Sequence, residues 1–175
     1  MLAVLVFPIL LVVGGLKDLT SFTIPNWISL ALVAAFPLAA ILCGVSWAAA
    51  GLAVLVGMAA LVMGMGMFAL GWIGGGDAKL MAAAALWLGW PAIAPFMLVT
   101  ALAGGGLAVG LLALRSPMLR PLALGRAAWV DRLADPTAGA PYGVAICVGA
   151  LAAFPHGVVA KALFGASEGM LAAPV

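Results

Sequence analysis

Residues 74–90, with the sequence GGGDAKLMAAAALWLGW, join three consecutive glycines and a single aspartate to an apolar segment. Asp77 stands directly before that segment, which begins at Ala78. An ionisable side chain at membrane depth is costly to desolvate, so its presence there is typical of a functional site. The stretch therefore predicts a membrane helix with a functional carboxylate at its start.

The composition of the chain indicates an integral membrane protein. Of its 175 residues, 67% are hydrophobic and only 7% are charged, and the mean hydropathy is +1.34. Soluble domains are about half apolar and about a quarter charged, and a soluble fold of this size could not bury such an excess. Seven basic residues in a chain of net charge +2 are too few for a nucleic-acid-binding surface.

The apolar segments predict an all-α fold, a single membrane-embedded domain over residues 1–175 built as a helical bundle. A helix needs about 20 apolar residues to cross the hydrocarbon core, which gives a bundle of about six transmembrane helices. The first and fourth segments are short for a span. The predicted helices are Leu2–Leu16, Trp27–Cys43, Trp47–Phe68, Ala78–Trp90, Pro91–Leu114 and Tyr142–Ala160.

The basic residues are concentrated in alternate connections between these segments. Lys and Arg accumulate in cytoplasmic connections, so the pattern predicts that both termini lie outside and that the odd-numbered connections face the cytoplasm. Six basic residues lie in or beside those connections, against Lys161 on the other side: Lys17, Lys79, Arg115, Arg120, Arg126 and Arg132.

The fifth connection, residues 115–141, is the longest polar segment and mixes apolar and charged side chains. Trp129 and Leu133 alternate there with Asp131 and Arg132. A short amphipathic helix on the cytoplasmic surface of the membrane suits this mixture, with Trp129 at headgroup depth. A plain solvated loop is the equal alternative.

Two of the five acidic residues lie where a carboxylate is unusual. Asp18 follows the first apolar segment and Asp77 precedes the fourth, and the predicted topology puts both on the cytoplasmic side at similar depth. A bundle could bring them together. The other three are expected in polar surroundings or in the C-terminal tail: Asp131, Asp135 and Glu168.

Two neighbouring carboxylates offer a route to peptide hydrolysis. A close pair shares one proton, so the ionised member can take a proton from water while the protonated member polarises the scissile carbonyl. This chemistry needs no metal and no cofactor. His156 is the only histidine, and two separated cysteines, Cys43 and Cys147, cannot form a tetrathiolate zinc site. We expect both thiols to be buried as small apolar groups.

The glycine run permits two interpretations. Glycine lets the backbone adopt unusual angles and approach another chain closely, which suits a loop at an active site. The alternative is a flexible linker in which Asp77 caps the next helix, since Asp is a preferred residue at helix starts.

Three motifs resemble those of the type IV prepilin peptidase family, whose members are GxGD aspartic membrane peptidases. Gly74-x-Gly76-Asp77, continued through Lys79, resembles the GxGD signature. Asp18 followed by Ile24-Pro25-Asn26 is similar to the other aspartate motif. Pro141-Tyr142-Gly143 resembles the Pro-aromatic-Gly at the start of the last helix. The three occur in the order and topological places found in that family.

The resemblance implies that Asp18 and Asp77 are the catalytic pair. Gly74, Gly75 and Gly76 would shape the loop, and Lys79 would either influence the local field or extend from its helix end to the membrane surface. A further group would start helices or shape the substrate site: Pro25, Asn26, Pro141, Tyr142 and Gly143. The implied substrate is a prepilin or pseudopilin, cut between its leader peptide and its apolar helix at the cytoplasmic face of the bacterial inner membrane.

This chain departs from the larger, bifunctional members of the family. It lacks their cytosolic insertion with cysteine pairs, which is associated with methylation of the new N-terminus. It is similar to the compact, peptidase-only branch that serves tight-adherence (Flp) pili. Three alternatives remain open at this point: an archaeal preflagellin-type peptidase, a small proton-linked transporter that uses the same aspartates, and a non-enzymatic assembly subunit.

Overall fold

The protein is a bundle of helices without strands in the part of the chain that the structure describes. The computed structural model describes the backbone of residues 2–171 and the side chains of residues 4–164, so Glu168 lies outside the described side chains. The all-α prediction is confirmed. The helices are α1 (Leu2–Ser21), α2 (Asn26–Leu42), α3 (Trp47–Ala69), α4 (Gly75–Leu114), α5 (Arg120–Ala123), α6 (Ala128–Leu133), α7 (Tyr142–Ala153) and α8 (Val158–Leu171), with a 3-10 turn at Phe154–His156.

Helix length supports fewer membrane spans than the sequence predicts. Within residues 2–171, four helical stretches are long and apolar enough to cross a membrane: Val4–Ser21, Trp47–Ala69, Gly75–Leu114 and Tyr142–Phe164. The apolar helix α2 is shorter, at 17 residues. The count of about six spans is therefore not confirmed and stays a prediction.

The long helix α4 contains a break that bears on that count. Its 40 residues would extend about 60 Å if straight, about twice the thickness of the hydrocarbon core. Gly89 interrupts it with φ 63° and ψ −170°, a conformation that favours glycine, and Pro91 follows two residues later. Two helical segments thus meet within one residue of the predicted boundary between Trp90 and Pro91.

Three helix ends differ from the prediction. Helix α1 continues to Ser21 instead of ending at Leu16, and in its last turn the Ser21 hydroxyl donates to the Lys17 carbonyl at 2.6 Å. Helix α4 begins at Gly75, before the predicted Ala78. Near the C-terminus, Pro155 cannot donate a helical hydrogen bond, and a 3-10 turn separates α7 from α8.

The fifth connection forms two short helices, α5 and α6, where a single amphipathic helix or a plain loop was predicted. Trp129 in α6 is 40% exposed, and Leu133 at its end is buried. The connection is thus partly ordered against the bundle, and neither interpretation alone describes it.

Helix α4 lies at the centre of the bundle, where most of residues 77–89 in its first half are buried. The whole helix packs mainly against α3 and α7, and it also contacts α2 and α1. Trp87 is fully buried there, and its Nε1 donates to the Leu32 carbonyl of α2 at 2.8 Å. Its ring packs against Phe7 and Phe36 at centroid distances of 5.3 and 6.1 Å.

Replacing Trp87 with phenylalanine is expected to lower the stability of the bundle by about 1–3 kcal/mol, because the Leu32 carbonyl loses a buried donor and the smaller ring leaves space. A thiol-reactive fluorescent dye measures the unfolding temperature in detergent, since Cys43 and Cys147 are both free and buried. Trp90→Phe is the control, because Trp90 is 66% exposed. Equal unfolding temperatures for the two variants would contradict this account of the core.

Candidate active site

Asp18 is buried near the C-terminal end of α1, inside the helix instead of after the first apolar segment as predicted. Its side chain is 5% exposed, and its Oδ2 accepts a hydrogen bond from the backbone N–H of Gly143 at 2.7 Å. A Cβ at Gly143 would lie 2.9 Å from that oxygen and 2.7 Å from Ile24 Cδ1. Only glycine permits α7 to start so close to Asp18.

Asp77 lies in the first turn of α4 and is equally buried, at 7% exposed. Its Oδ2 accepts a hydrogen bond from the backbone N–H of Gly74 at 3.0 Å, which caps the start of the helix. The sequence suggested Asp77 as the N-cap residue, whereas Gly74 occupies that position and Asp77 caps the helix from its third residue. Its other oxygen, Oδ1, is buried without a hydrogen-bond partner among the described residues. A buried orphan acceptor costs about 1–3 kcal/mol unless water or a ligand completes it.

The two aspartates line one cavity of about 270 Å³. The structure therefore brings together side chains from α1 and α4, as the paired-carboxylate hypothesis requires. The volume exceeds the space that one water molecule needs. Besides the aspartates, the lining residues are Phe22, Thr23, Ile24, Gly74, Gly75 and Gly76.

The turn between α1 and α2 forms one wall of this cavity. Ile24 is buried, and a Cβ at Gly76 would lie 3.0 Å from Ile24 Cβ, so the glycine run lets this turn pass close to α4. The sequence did not point to Phe22 or Thr23 as cavity-lining residues, nor to the backbone N–H of Gly143 as a partner of Asp18. The one available indication was the apolar Ile24 in a largely polar connection, which suggested that this turn packs against the bundle.

Lys79 and Asn26 lie beside the cavity without lining it. Lys79 Nζ donates to Asn26 Oδ1 at 2.9 Å, which ties the start of α4 to the start of α2. Pro25 precedes α2 as its N-cap residue, in agreement with the predicted helix start. The bond between Lys79 and Asn26 therefore joins two helices near the aspartates.

Pro141 and Tyr142 serve the start of α7. Pro141 is fully buried, and the Tyr142 hydroxyl packs on Gly104 in the second half of α4. Neither side chain lines the aspartate cavity. Of the Pro-Tyr-Gly motif, only Gly143 contacts a catalytic candidate.

A second cavity, of about 890 Å³, forms a groove along α2, α3 and the start of α4. Its walls are mostly apolar, and Lys79 and Asn26 stand among its few polar side chains. Ser29 also lines it, and the Ser29 hydroxyl is buried without a partner among the described residues. Gly75 lines both the groove and the aspartate cavity, so the two are adjacent.

The remaining polar candidates lie apart from the aspartates. His156 is exposed in the 3-10 turn, and among the described side chains no three His, Cys, Asp or Glu residues come together as a metal site. Asp135 accepts hydrogen bonds from the backbone N–H and hydroxyl of Thr137, which lower the pKa of Asp135 below its ordinary value. Asp131 accepts from the backbone N–H of Gly125. Both acidic residues of the connection therefore have local structural partners.

Comparison with known proteins bears on the same region. Residues 5–109 match the model of the type IV leader peptidase family. The matched range is more than half of the chain and includes both aspartates. Comparisons with curated proteins and with solved structures found no match. The extent of the family match, together with the helical membrane fold, establishes a peptidase relationship. The chain belongs to the type IV leader peptidase family.

Proposed function

We propose that this protein is a membrane aspartic endopeptidase that removes the leader peptide of prepilins or pseudopilins. The observation that carries the proposal is the cavity shared by Asp18 and Asp77. Each carboxylate has one oxygen fixed by a backbone N–H at a glycine, and both are buried where a carboxylate is costly without a function.

The proposed reaction needs only the two carboxyl groups and a water molecule. The ionised aspartate takes a proton from water as the water oxygen bonds to the scissile carbonyl carbon, and the protonated aspartate donates a hydrogen bond to the carbonyl oxygen. The C–N bond of the tetrahedral intermediate then breaks. The leaving amine nitrogen receives a proton from a carboxyl group, and the products are a free carboxylate and a free amine. No covalent enzyme intermediate forms.

The groove along α2, α3 and α4 is the proposed seat of the apolar helix that follows the leader in the substrate. Its walls suit an apolar segment, and Gly75 lines both the groove and the aspartate cavity. An apolar helix in the groove would therefore place the residues before it near the carboxylates. The orphan Ser29 hydroxyl could pair with a polar group of the occupant.

A bulky side chain in the groove is expected to weaken substrate binding. Met65 lines the groove and is 58% exposed, whereas Met63, two residues away on the same helix, is 43% exposed and does not line it. We expect Met65→Trp to raise KM about tenfold, equivalent to the loss of roughly one buried side-chain contact. Met63→Trp is the matched control, expected to change KM less than about twofold. Equal effects of the two variants would exclude this groove.

The proposed location is the bacterial inner membrane, with the aspartates on the cytoplasmic side. The basic residues near the aspartate end of the bundle support this orientation, including Lys17 one residue before Asp18. The chain has the features of the compact branch that serves tight-adherence pili, and we propose that it cleaves without methylating its product.

The test is cleavage of a synthetic prepilin by the purified protein in liposomes. Mass spectrometry of the product identifies the new N-terminus. We expect a single cut directly before the apolar segment, and a new N-terminus that is not methylated. A preflagellin substrate tests the archaeal alternative in the same assay. Failure to cut any such substrate, combined with aspartate-dependent proton flux across the same liposomes, would favour a transporter and contradict the proposal.

A further inference from the structure

The turn after α1 holds a bulky residue in an unfavourable backbone conformation. Phe22 has φ 55°, and it is the one non-glycine residue with positive φ among the described residues. For a residue with a Cβ this left-handed conformation costs roughly 1–2 kcal/mol, and glycine is the usual occupant at a helix end. Strain of this kind persists only where surrounding contacts stabilise it.

The conformation of Phe22 affects both the end of α1, which carries Asp18, and the wall of the aspartate cavity. Its backbone N–H donates to the Asp18 carbonyl at 2.9 Å, so the turn closes the end of the helix that carries Asp18. Its side chain lines the cavity, and two residues later Ile24 packs beside Gly76 and Gly143. A change in this turn would therefore move the cavity wall and the end of α1 together.

Arg132 contacts this turn from a distant part of the sequence. Its Nη1 donates to the Ser21 carbonyl at 3.2 Å, and its guanidinium carbon lies 5.6 Å from the centre of the Phe22 ring. One side chain thus bonds the backbone of one turn residue and stacks on the next. A planar guanidinium can make both contacts at once, whereas a lysine ammonium cannot reproduce their geometry.

The short helix α6, which carries Arg132, is itself held in place. The Asp131 carboxylate accepts from the backbone N–H of Gly125 at 2.7 Å. Arg115, at the end of α4, donates to the carbonyls of Leu133 and Gly139, both at 2.9 Å. These bonds connect α6 to the helix that carries Asp77, so Arg132 extends from an ordered support.

We infer that Arg132 is a positioning residue of the proposed peptidase, which holds the Ser21–Phe22 turn against the Asp18–Asp77 cavity. The inference rests on the proposed function for its catalytic consequence. A simpler role for Arg132, as one more cytoplasmic positive charge that sets orientation, would be served equally by lysine and would not involve Phe22. These two roles give different experimental results.

The first measurement is kcat/KM for cleavage of a synthetic prepilin in liposomes. Arg132→Ala is expected to lower it about tenfold and Arg132→Lys about fivefold, because each loses contacts of the charged, planar group. Arg126→Ala is the matched control, since Arg126 is exposed in the same connection and forms no hydrogen bond among the described residues. It should change the rate less than about twofold.

The second measurement repeats Arg132→Ala in a Phe22→Gly background. Glycine adopts positive φ readily, so the turn should no longer need the arginine, and the further loss should be less than about twofold. A tenfold loss in both backgrounds would show that Arg132 does not act through Phe22. Full activity of Arg132→Lys would show that charge alone is required. Either result would overturn the inference.

Hydrogen exchange of the same proteins in nanodiscs separates this inference from the proposed function. We expect the amides of residues 21–24 to exchange at least about threefold faster in Arg132→Ala than in wild type or Arg126→Ala. Unchanged exchange would overturn the inference even if cleavage fell. If wild type cuts no leader while exchange responds as expected, the proposed function fails and the structural role of Arg132 stands.

Discussion

Asparagine at position 18 or position 77 is expected to lower the rate of leader cleavage by about a thousandfold. Each substitution keeps the shape of the side chain and its bond to the Gly143 or Gly74 backbone N–H, but it removes the group that exchanges a proton with water. The loss should appear in kcat, with KM nearly unchanged. Rates are measured on equal amounts of liposome-inserted protein.

The matched control for the aspartate variants is Asp135→Asn. Asp135 lies in the fifth connection, and its carboxylate accepts hydrogen bonds from nearby Thr137. Its replacement should leave the cleavage rate within about twofold of wild type. Insertion and unfolding temperature are compared for all three variants. Substantial cleavage by either the position 18 or the position 77 variant would contradict the paired-carboxylate mechanism.

Gly143→Ala is expected to lower kcat by about a hundredfold, because a small displacement of a catalytic group is enough to cause such a loss. The added methyl would lie 2.7 Å from Ile24 Cδ1 and 2.9 Å from Asp18 Oδ2, so α7, the turn or Asp18 must shift. The bond between the Gly143 N–H and Asp18 would lengthen as a result. Initial rates on the synthetic prepilin measure the effect.

Gly139→Ala provides the control for that substitution. Gly139 lies just before the start of α7, and a Cβ there meets no atom within 4 Å. It should cleave at nearly the wild-type rate. If both glycine variants lose activity equally, general disturbance of the connection, and not the contact with Asp18, explains the loss.

The pairing of Asp18 and Asp77 was predictable from the sequence because the membrane limits the possible arrangements. Carboxylates are rare beside apolar helices, and the distribution of basic residues predicts that both lie on one side of the bilayer. The helical class and the approximate boundary in α4 followed from the same apolar pattern. The roles of the two aspartates and of the glycine run remain proposals, although the geometry supports them.

The rest of the site depends on contacts between distant residues, which local patterns do not specify. Arg132 bonds to Ser21 across 111 positions of sequence, and the positive φ of the neighbouring Phe22 opposes the intrinsic preference of phenylalanine. The end of α1 was misjudged because Ser21 and Thr20 bond back into the helix instead of ending it. The partial order of the fifth connection likewise comes from Arg115, whose partners lie up to 24 positions away.

The proposed mechanism requires that the scissile peptide bind in the cavity between Asp18 and Asp77. This requirement can be tested by photo-cross-linking in liposomes. A prepilin that carries benzoylphenylalanine next to its scissile bond is irradiated together with the Asp77→Asn variant, which should bind but not cleave it. We expect tandem mass spectrometry to locate the adducts on residues 22–24 and 74–77, which line the cavity. Adducts confined to the fifth connection or to the second half of α4 would contradict the account.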